Sequence, residues 1–456
     1  MNRLVVLGAG ESGVGAAILG CKLGMEVFVS DFGQISSGHK AELTELGVAF
    51  EEGKHSEDKI LVDSTYVIKS PGIPETAPIV VKAKAMGLQV VSEIEFAAKH
   101  TSAKFIAITG SNGKTTTTLL THYILKKAGV NAGIAGNVGT SLARQVATEN
   151  HDIYVLELSS FQLDGMFDFR ADVAILLNIT PDHLDRYDYK FENYVDSKFR
   201  IAQNQTSDQY FISYVDDPVI KAEMQKREIG GFKLGISLGN VMLNGAYVGQ
   251  GNSLQFNVNN HITKVFNIKD KFLPLRGKHN MVNSMMAVMA CLTVGVNEKT
   301  IIKSLDGFNN ASHRLELVTE INGVKYINDS KATNVDSVKY ALDSFDKPII
   351  WIAGGVDKGN DYSQLDELVF EKVKALVCVG KNNDKLKSYF GNKLPLIIEA
   401  VDMEEAVSLC NEMSESGDHV LLSPACASFD LFKNYEERGD IFKSAVRKFE
   451  ELQKAI

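Results

Sequence analysis

At 456 residues the chain is too long for a single core and suits two to four domains. Hydrophobic residues at 45% and charged residues at 23% are ordinary for a globular protein, and a net charge of −9 disfavours nucleic acid and anionic membrane as partners. Five scattered cysteines without C-x-x-C spacing argue against a disulfide framework or zinc site and for a reducing, cytoplasmic setting. No signal-peptide pattern opens the chain, and no apolar run approaches the ~20 residues that would span a bilayer.

The first 97 residues alternate short apolar runs with helical stretches. Strands are expected at 4–7, 26–30, 66–69 and 89–91, which makes a small parallel α/β sheet. Gly8, Gly10 and Gly13 follow the first strand in G-x-G-x-x-G spacing, and Asp31 ends the second. Together they read either as a dinucleotide fingerprint with an acid for a ribose hydroxyl, or as a tight turn in a nucleotide-free domain. Ser70-Pro71-Gly72-Ile73-Pro74 is a second glycine turn on the same sheet edge.

A second unit begins near Lys104, with strands expected at 105–109, 153–158 and 173–178. Its first strand feeds Thr109-Gly110-Ser111-Asn112-Gly113-Lys114-Thr115-Thr116, and an amphipathic stretch, 117–127, follows. Such glycines let backbone N–H groups surround an anion; the helix N-terminus, Lys114 and the Thr115 hydroxyl suit phosphates and Mg²⁺. Ile108 stands where the ordinary phosphate loop has its first glycine, so the loop is a shortened variant. Glu157 ends the neighbouring strand, where a Mg²⁺ ligand would sit, although strand-end acids also simply face solvent. Asn178 to Arg186 packs an imidazole, carboxylates and a guanidinium into nine residues, with turn chemistry as its plain alternative. In the helix expected over 191–203, Lys198 falls inside the apolar stripe of Phe191, Tyr194, Val195, Phe199 and Ala202. A lysine there snorkels, or is buried as a neutral amine able to take up CO₂ as a carbamate.

The stretch 209–272 reads as β-rich, with a hairpin expected at Asn244-Gly245 between runs 241–243 and 246–248. A helix over 279–293 closes this unit. The third unit has a hairpin at Asn322-Gly323 and strands at 349–353, 376–379, 396–398 and 420–422. Polar loops at 328–334, 354–359 and 423–430 follow the expected strand ends of a parallel sheet, where α/β proteins bind ligands.

The motifs T-G-S-N-G-K-T-T, Glu157-Leu158-Ser159-Ser160, D-H-L-D-R-Y, helical Lys198, Gly277-Lys278-His279-Asn280 with Asn283, His313-Arg314 and N-D-S-K-A-T-N together resemble the Mur ligases. These are ATP-dependent, amide-forming enzymes of peptidoglycan synthesis. The resemblance covers essentially the whole chain and implies an α/β fold of three tandem domains: an N-terminal Rossmann-like sheet (1–97, UDP-substrate), a central P-loop ATPase-like domain with a β-rich insertion (98–305, ATP) and a C-terminal Rossmann-like domain (306–456, amino acid). Within the family, N-D-S-K-A-T-N, G-G-V-D-K-G and S-P-A-C-A-S-F-D are similar to the branch that adds D-glutamate to UDP-N-acetylmuramoyl-L-alanine. The D-N-P-R motif of diaminopimelate-adding relatives is absent, and folylpolyglutamate synthetases lack the first domain.

By this resemblance the glycine turn holds UDP rather than NAD, through Glu11, Ser12, Asp31, Gly72 and Asn137. Gly110, Ser111, Asn112, Gly113, Lys114, Thr115, Thr116, Asn280, Asn283, Arg314 and Asp329 serve ATP. Thr115, Glu157, His183 and carbamylated Lys198 serve Mg²⁺; Lys331, Thr333, Lys358, Ser428 and Tyr435 meet D-glutamate. Lys114, Lys198, His183 and Lys331 are the implied catalytic residues. Two positions depart from the family pattern: Phe32 replaces a small hydroxyl residue and Tyr435 replaces a phenylalanine. ATP and Mg²⁺ are the implied cofactors, and the protein is expected to be a monomer that binds neither nucleic acid nor membrane. Competing readings are a relative adding another amino acid, an NAD-dependent oxidoreductase fused to an ATPase, and a non-catalytic scaffold.

Overall fold

The computed structural model describes residues 3–258, 262–267, 277–305, 307, 308, 310–346 and 348–454. Contacts divide the chain into two units, residues 1–274 with 282–308, and residues 275–281 with 309–456.

The first unit holds two sheets. In one, β1 (Arg3–Leu7), β2 (Glu26–Asp31), β3 (Ala49–Glu52), β4 (Tyr66–Lys69) and β5 (Val90–Val91) lie in the order β3-β2-β1-β4-β5, all parallel. Leu4, Val5, Val6 and Leu7 are all fully buried, as expected of a strand covered on both faces. Strand order reverses between β1 and β4, which puts the crevice for a ligand beside the glycine turn after β1. Gly8 has φ +92°, and a Cβ on Gly13 would lie 1.9 Å from the Gly8 carbonyl oxygen, so only glycine allows this turn to close on its helix.

The other sheet contains β6 (Lys104–Thr109), β7 (Ala132–Gly136), β8 (Ile153–Glu157), β9 (Val173–Leu176), β10 (Tyr210–Tyr214), β11 (Phe232–Ser237), β12 (Gly245–Val248), β13 (Ser253–Val258) and β14 (Ile262–Asn267). Their order is β14-β13-β12-β11-β10-β9-β6-β8-β7, parallel from β7 to β12 and antiparallel beyond. The β-rich stretch thus continues this sheet; residues 259–261 and 268–272 of it lie outside the described residues.

The hairpin expected at Asn244-Gly245 is not formed. Residues 241–243 are not a strand, with Val241 70% and Leu243 80% exposed, and β12 runs parallel to β11. Gly245 is there for close approach instead: a Cβ would lie 1.8 Å from the Gly235 carbonyl oxygen, while Asn244 accepts from the Gly235 N–H. The hairpin forms one connection later, between β12 and β13.

The helices Glu11–Lys22 and Leu142–Thr148 join the two sheets. Arg144 forks between Glu11 and Glu42, and Glu93 accepts from the Ser141 hydroxyl (2.8 Å) and the Ala143 N–H. A Cβ on Gly15 would lie 2.0 Å from Ser141 Oγ, so the helices meet at backbone distance.

The second unit is a single sheet of β15 (Glu316–Ile321), β16 (Val324–Asn328), β17 (Ile349–Ala353), β18 (Val373–Val379), β19 (Ile397–Ala400) and β20 (His419–Leu422), in the order β15-β16-β20-β17-β18-β19. Only β15 is antiparallel. It joins β16 through Asn322 (φ +52°) and Gly323 (φ +79°), the mirror-image turn that an Asn-Gly pair predicts. Apolar clusters cover both faces, one around Trp351 and the other around Phe442. Among the described residues no helix is long and apolar enough to cross a membrane.

Candidate functional site

The phosphate loop bridges β6 and the helix Lys114–Lys127. Gly110 (φ +159°) and Gly113 (φ +85°) bend it, and the Gly113 position has no room for a side chain: a Cβ would lie 2.5 Å from Asn283 Oδ1. The segment after β9 holds the loop open. Asn178 accepts from the Ser111 N–H through its carbonyl (3.0 Å) and from the Asn112 N–H through its side chain (2.8 Å), and donates back to the Asn112 carbonyl (3.0 Å). Ser111 exchanges hydrogen bonds with the backbone of Thr180, at 2.9 Å each way. Lys114 folds across the loop and donates to the carbonyls of Gly110 and Ser111, both at 2.8 Å. Thr115 and Thr116 are buried in the first helical turn.

Lys198 does not snorkel. It is 1% exposed on the helix Phe191–Phe199, donates to the Gly110 carbonyl at 2.8 Å, and lies 4.6 Å from the centre of the Tyr194 ring. Burial above all, and the charge of Lys114, hold its ammonium well below the usual lysine range. Glu157, at the end of β8, is equally buried. Its Oε1 accepts from the Asn137 amide (2.9 Å), while Oε2 is buried with no partner. Asn137 therefore lies against Glu157. His183 is half exposed, with φ +52°, its Nε2 3.6 Å from Asp182 and its ring edge-on to Phe161.

At the glycine turn of the first sheet, Asp31 accepts from the N–H groups of Ala9 and Gly33, both at 2.7 Å. Glu11, by contrast, has its carboxylate on Arg144 (2.8 and 3.1 Å) and the Ser141 N–H (3.1 Å). Ser12 lies in the first turn of the same helix. Gly72 sits in the turn after β4, and the Arg186 guanidinium faces the carbonyls of Pro71, Gly72 and Ile73 at 3.4–3.5 Å while stacking 4.4 Å from the Phe161 ring centre. Arg186 stands in the D-H-L-D-R-Y motif, whose sequence carries no signal for this contact.

In the second unit the loops after β16, β17 and β20 gather at one end of the sheet. Asp329 is buried, accepting from the Leu315 N–H (3.2 Å) and the Ser423 hydroxyl (2.9 Å); burial pushes its carboxyl up to about 7 against these bonds and the Arg314 charge. Arg314 is flanked by His313 (φ +65°) and Leu315 (φ +46°), two non-glycine residues in the left-handed region, so backbone strain is concentrated where it presents its side chain. Burial pushes His279 down to about 4, with its ring 4.9 Å from Tyr340. Asn280 and Asn283 are buried on the helix Lys278–Thr293.

The Lys331 ammonium lies 4.8 Å over the Tyr435 ring, and the Thr333 N–H bonds the Lys331 carbonyl. Val356 and Ala427 exchange backbone hydrogen bonds at 2.8 and 3.1 Å, which pairs the loop carrying exposed Lys358 with the loop carrying buried Ser428. The residue most clearly missed from sequence is Arg438. It is 2% exposed and donates to the Ser330 hydroxyl (3.0 Å) and carbonyl (2.9 Å), to Cys426 (3.1 Å) and to Gly354 (3.4 Å). One guanidinium thus ties all three loops. Its helical spacing, three residues after Tyr435, was the available signal, masked by the charged run Glu436-Glu437-Arg438.

Three family models match the chain: the Mur ligase MurD-like N-terminal domain over residues 2–92, the Mur ligase middle domain over 108–291 and the Mur ligase glutamate ligase domain over 313–426. Curated relatives include UDP-N-acetylmuramoylalanine--D-glutamate ligases of Cytophaga hutchinsonii, 53% identical over 98% of both chains, and of Bacteroides fragilis, 49% identical over 98% of this chain and 100% of that one. Solved structures with the same fold include the UDP-N-acetylmuramate-alanine ligase of Thermotoga maritima (TM-score 0.58, 17% identity, 100% of both chains). Another is a pseudomurein peptide ligase of Methanothermus fervidus (TM-score 0.61, 15% identity, 98% of this chain and 100% of that one).

Proposed function

The chain belongs to the Mur ligase family, and from that premise we propose that it performs the reaction for which its relatives are named, joining D-glutamate to UDP-N-acetylmuramoyl-L-alanine with ATP as the driving substrate. The observation that carries this reading is the buried Lys198 on the Gly110 carbonyl of a phosphate loop that also abuts an acid with an unpartnered oxygen, Glu157. A general-purpose ATPase has no need for a lysine in that position.

We assign residues 1–97 to the UDP moiety, 98–305 to ATP and 306–456 to the amino acid. A carboxylate is a poor acyl donor, because an amine cannot displace oxide from it. Transfer of the γ-phosphoryl group removes the difficulty: a carboxylate oxygen of the alanyl group bonds to phosphorus, the bond to the ADP oxygen breaks, and ADP leaves with the electron pair. The resulting acyl phosphate has a good leaving group. Two anions meet in this step, so the loop N–H groups, the helix N-terminus and Lys114 must stabilise charge on the transferring group, with Arg314 assigned to the same task. The D-glutamate nitrogen then bonds to the acyl carbon, its proton is lost, and phosphate departs with the C–O electrons. Lys331, Thr333, Lys358, Ser428 and Tyr435 are assigned to hold the amino acid, the lysines suiting its two carboxylates.

Mg²⁺, when bound, would offset the repulsion between the reacting anions. Thr115, Glu157 and His183 are assigned to hold it, and the orphaned Glu157 Oε2 is the kind of buried acceptor a cation satisfies. Among the described residues no three acidic, His or Cys side chains form a metal cage. Lys198, whose burial favours the uncharged amine, would supply a further anionic ligand if Nζ bonds to the carbon of CO₂ and releases a proton, leaving a carbamate.

The deciding experiment is phosphate release with ATP, Mg²⁺ and UDP-N-acetylmuramoyl-L-alanine, offering each amino acid in turn. Release dependent on D-glutamate is expected. Release with a different amino acid, or release independent of any, would overturn the assignment.

A further inference from the structure

We infer that Tyr187, its hydroxyl clamped by Asp164, is a positioning residue that sets His183 and Lys198 in place beside the phosphate loop, an inference that rests on the Mg²⁺ role assigned to those two residues. Tyr187 is buried just after the short turn Leu184–Arg186. Its hydroxyl donates to Asp164 Oδ2 at 2.9 Å and lies 3.3 Å from Ser197 Oγ, which donates to the Ser160 carbonyl at 3.0 Å. Burial above all, and then the Asp164 charge, push the phenol up, so it stays protonated and is the donor in this pair.

The Tyr187 ring contacts two others, and each of those touches a residue assigned to the metal. It stacks with Phe161, centroids 6.1 Å apart at 14°, and Phe161 meets the His183 ring edge-on at 5.2 Å. It also meets Tyr194 edge-on at 5.4 Å, and Lys198 Nζ lies 4.6 Å from the centre of that second ring. Tyr194 reaches the phosphate loop as well, its hydroxyl 3.1 Å from that of Ser111. Three segments therefore meet on one phenol: the short helix Ser160–Leu163, the loop carrying His183 and the helix Phe191–Phe199 carrying Lys198.

Packing alone does not call for the hydroxyl. A phenylalanine would fill the same space, whereas a buried hydroxyl loses its hydration and needs a partner, which Asp164 supplies. What the pair adds is a fixed orientation. The loop needs one: His183, Asp188 and Tyr189 all hold positive φ, from 52° to 56°, a backbone that persists only where its surroundings hold it. Tyr189 is exposed and His183 half exposed, which leaves buried Tyr187 as the anchoring ring of the loop.

The test is Mn²⁺ titration of the intact protein with bicarbonate present, following the electron paramagnetic resonance of the free ion. Wild type is expected to bind the ion and Glu157→Gln to lose most of that binding, which locates it. Tyr187→Phe keeps the ring and loses the clamp; it should weaken Mn²⁺ by about tenfold, the lower end of what removing a support behind metal ligands costs. Asp164→Asn keeps an oxygen for the phenol to donate to and should stay near wild type. In phosphate release, Tyr187→Phe should lower kcat while leaving KM for D-glutamate unchanged, a separation that a loosened fold would not give. Equal Mn²⁺ affinity in wild type and Tyr187→Phe would overturn the positioning role and leave the metal assignment intact. Failure of wild type to bind Mn²⁺, or binding indifferent to Glu157→Gln, would overturn both.

Discussion

Lys198 is a cation where charge is unfavourable, surrounded by protein and close enough to Lys114 to feel its charge. Its neutral form is the one this environment favours, and only the neutral amine has the lone pair that attacks the carbon of CO₂ to form a carbamate. Lys198→Ala should therefore lower turnover by at least about a hundredfold, as loss of a charge-stabilising group does. Formate or acetate should restore part of it by placing a carboxylate in the vacated space. Loss without any rescue would leave the lysine essential as an amine and dismiss the carbamate. Asp329 yields a prediction of a different sign. Its carboxyl sits at about 7 in the folded protein against an ordinary value of 3.8, so the folded state holds the proton more tightly. The stability it contributes is complete below about pH 4 and is lost as pH rises through about 7. Asp329→Asn can keep both hydrogen bonds, with Oδ1 accepting from Leu315 and the amide donating to Ser423. At pH 8 it should unfold at a higher temperature than wild type while turning over far more slowly, a pairing that thermal melts and phosphate release would check together.

The three polar loops of the second unit, assigned above to the amino acid, are positioned by an element whose role lies in one side chain. The helix Tyr435–Lys454 opens with Tyr435 against Lys331 and, one turn later, sets Arg438 among Ser330, Gly354 and Cys426. Lysine keeps the charge but lacks the planar fork needed to reach all three loops. For Arg438→Lys the expected result is a rise of about tenfold in KM for D-glutamate with a smaller change in KM for UDP-N-acetylmuramoyl-L-alanine, a split that general destabilisation would not produce. Equal increases for both substrates would reduce Arg438 to a structural tie. The same scale shows what was legible from sequence. The apolar strands, the phosphate loop, the Asn322-Gly323 turn and inward Lys198 were readable because each rests on local chemistry: periodicity, glycine placement, a mirror-image turn. β3 and β7 were missed because Ala49–Glu52 and Ala132–Gly136 are short runs rich in Ala, Gly and Glu, made strands by their neighbours. Asn244-Gly245 misled for the converse reason, a glycine selected by the passing Gly235 backbone rather than by a turn. Arg438 and the pairing of Asn137 with Glu157 are tertiary facts, with partners 12 to 108 residues away in sequence.

At the scale of the whole chain, a net charge of −9 must coexist with substrates that are all anions, so binding depends on local cations and fixed N–H groups. The division into two units adds a second consequence, because the first unit joins two sheets that the sequence reading treated as separate domains. Glu93 is central to that joint. It follows β5 of one sheet and accepts, on a single oxygen, from Ser141 and Ala143 at the start of a helix belonging to the other. Burial pushes its carboxyl up to about 7 from 4.5, against those two bonds. The folded pKa is the higher one, so its stabilising contribution is fully present below about pH 4.5 and is lost as pH rises through about 7, a difference of at most about 3 kcal/mol. Glu93→Gln presents the same accepting oxygen and never ionises. In calorimetry of the intact chain, the transition of the first unit should fall in wild type between pH 5 and pH 8 by several degrees more than in Glu93→Gln, while the transition of the second unit responds alike in both proteins. The comparison isolates Glu93 because the other charged groups of the joint, among them Glu11, Glu42, Arg144, Lys22 and Glu95, are unchanged between the two proteins. Parallel pH profiles for the first transition would mean that Glu93 is ionised in the folded protein and that the joint is held by those neighbours instead.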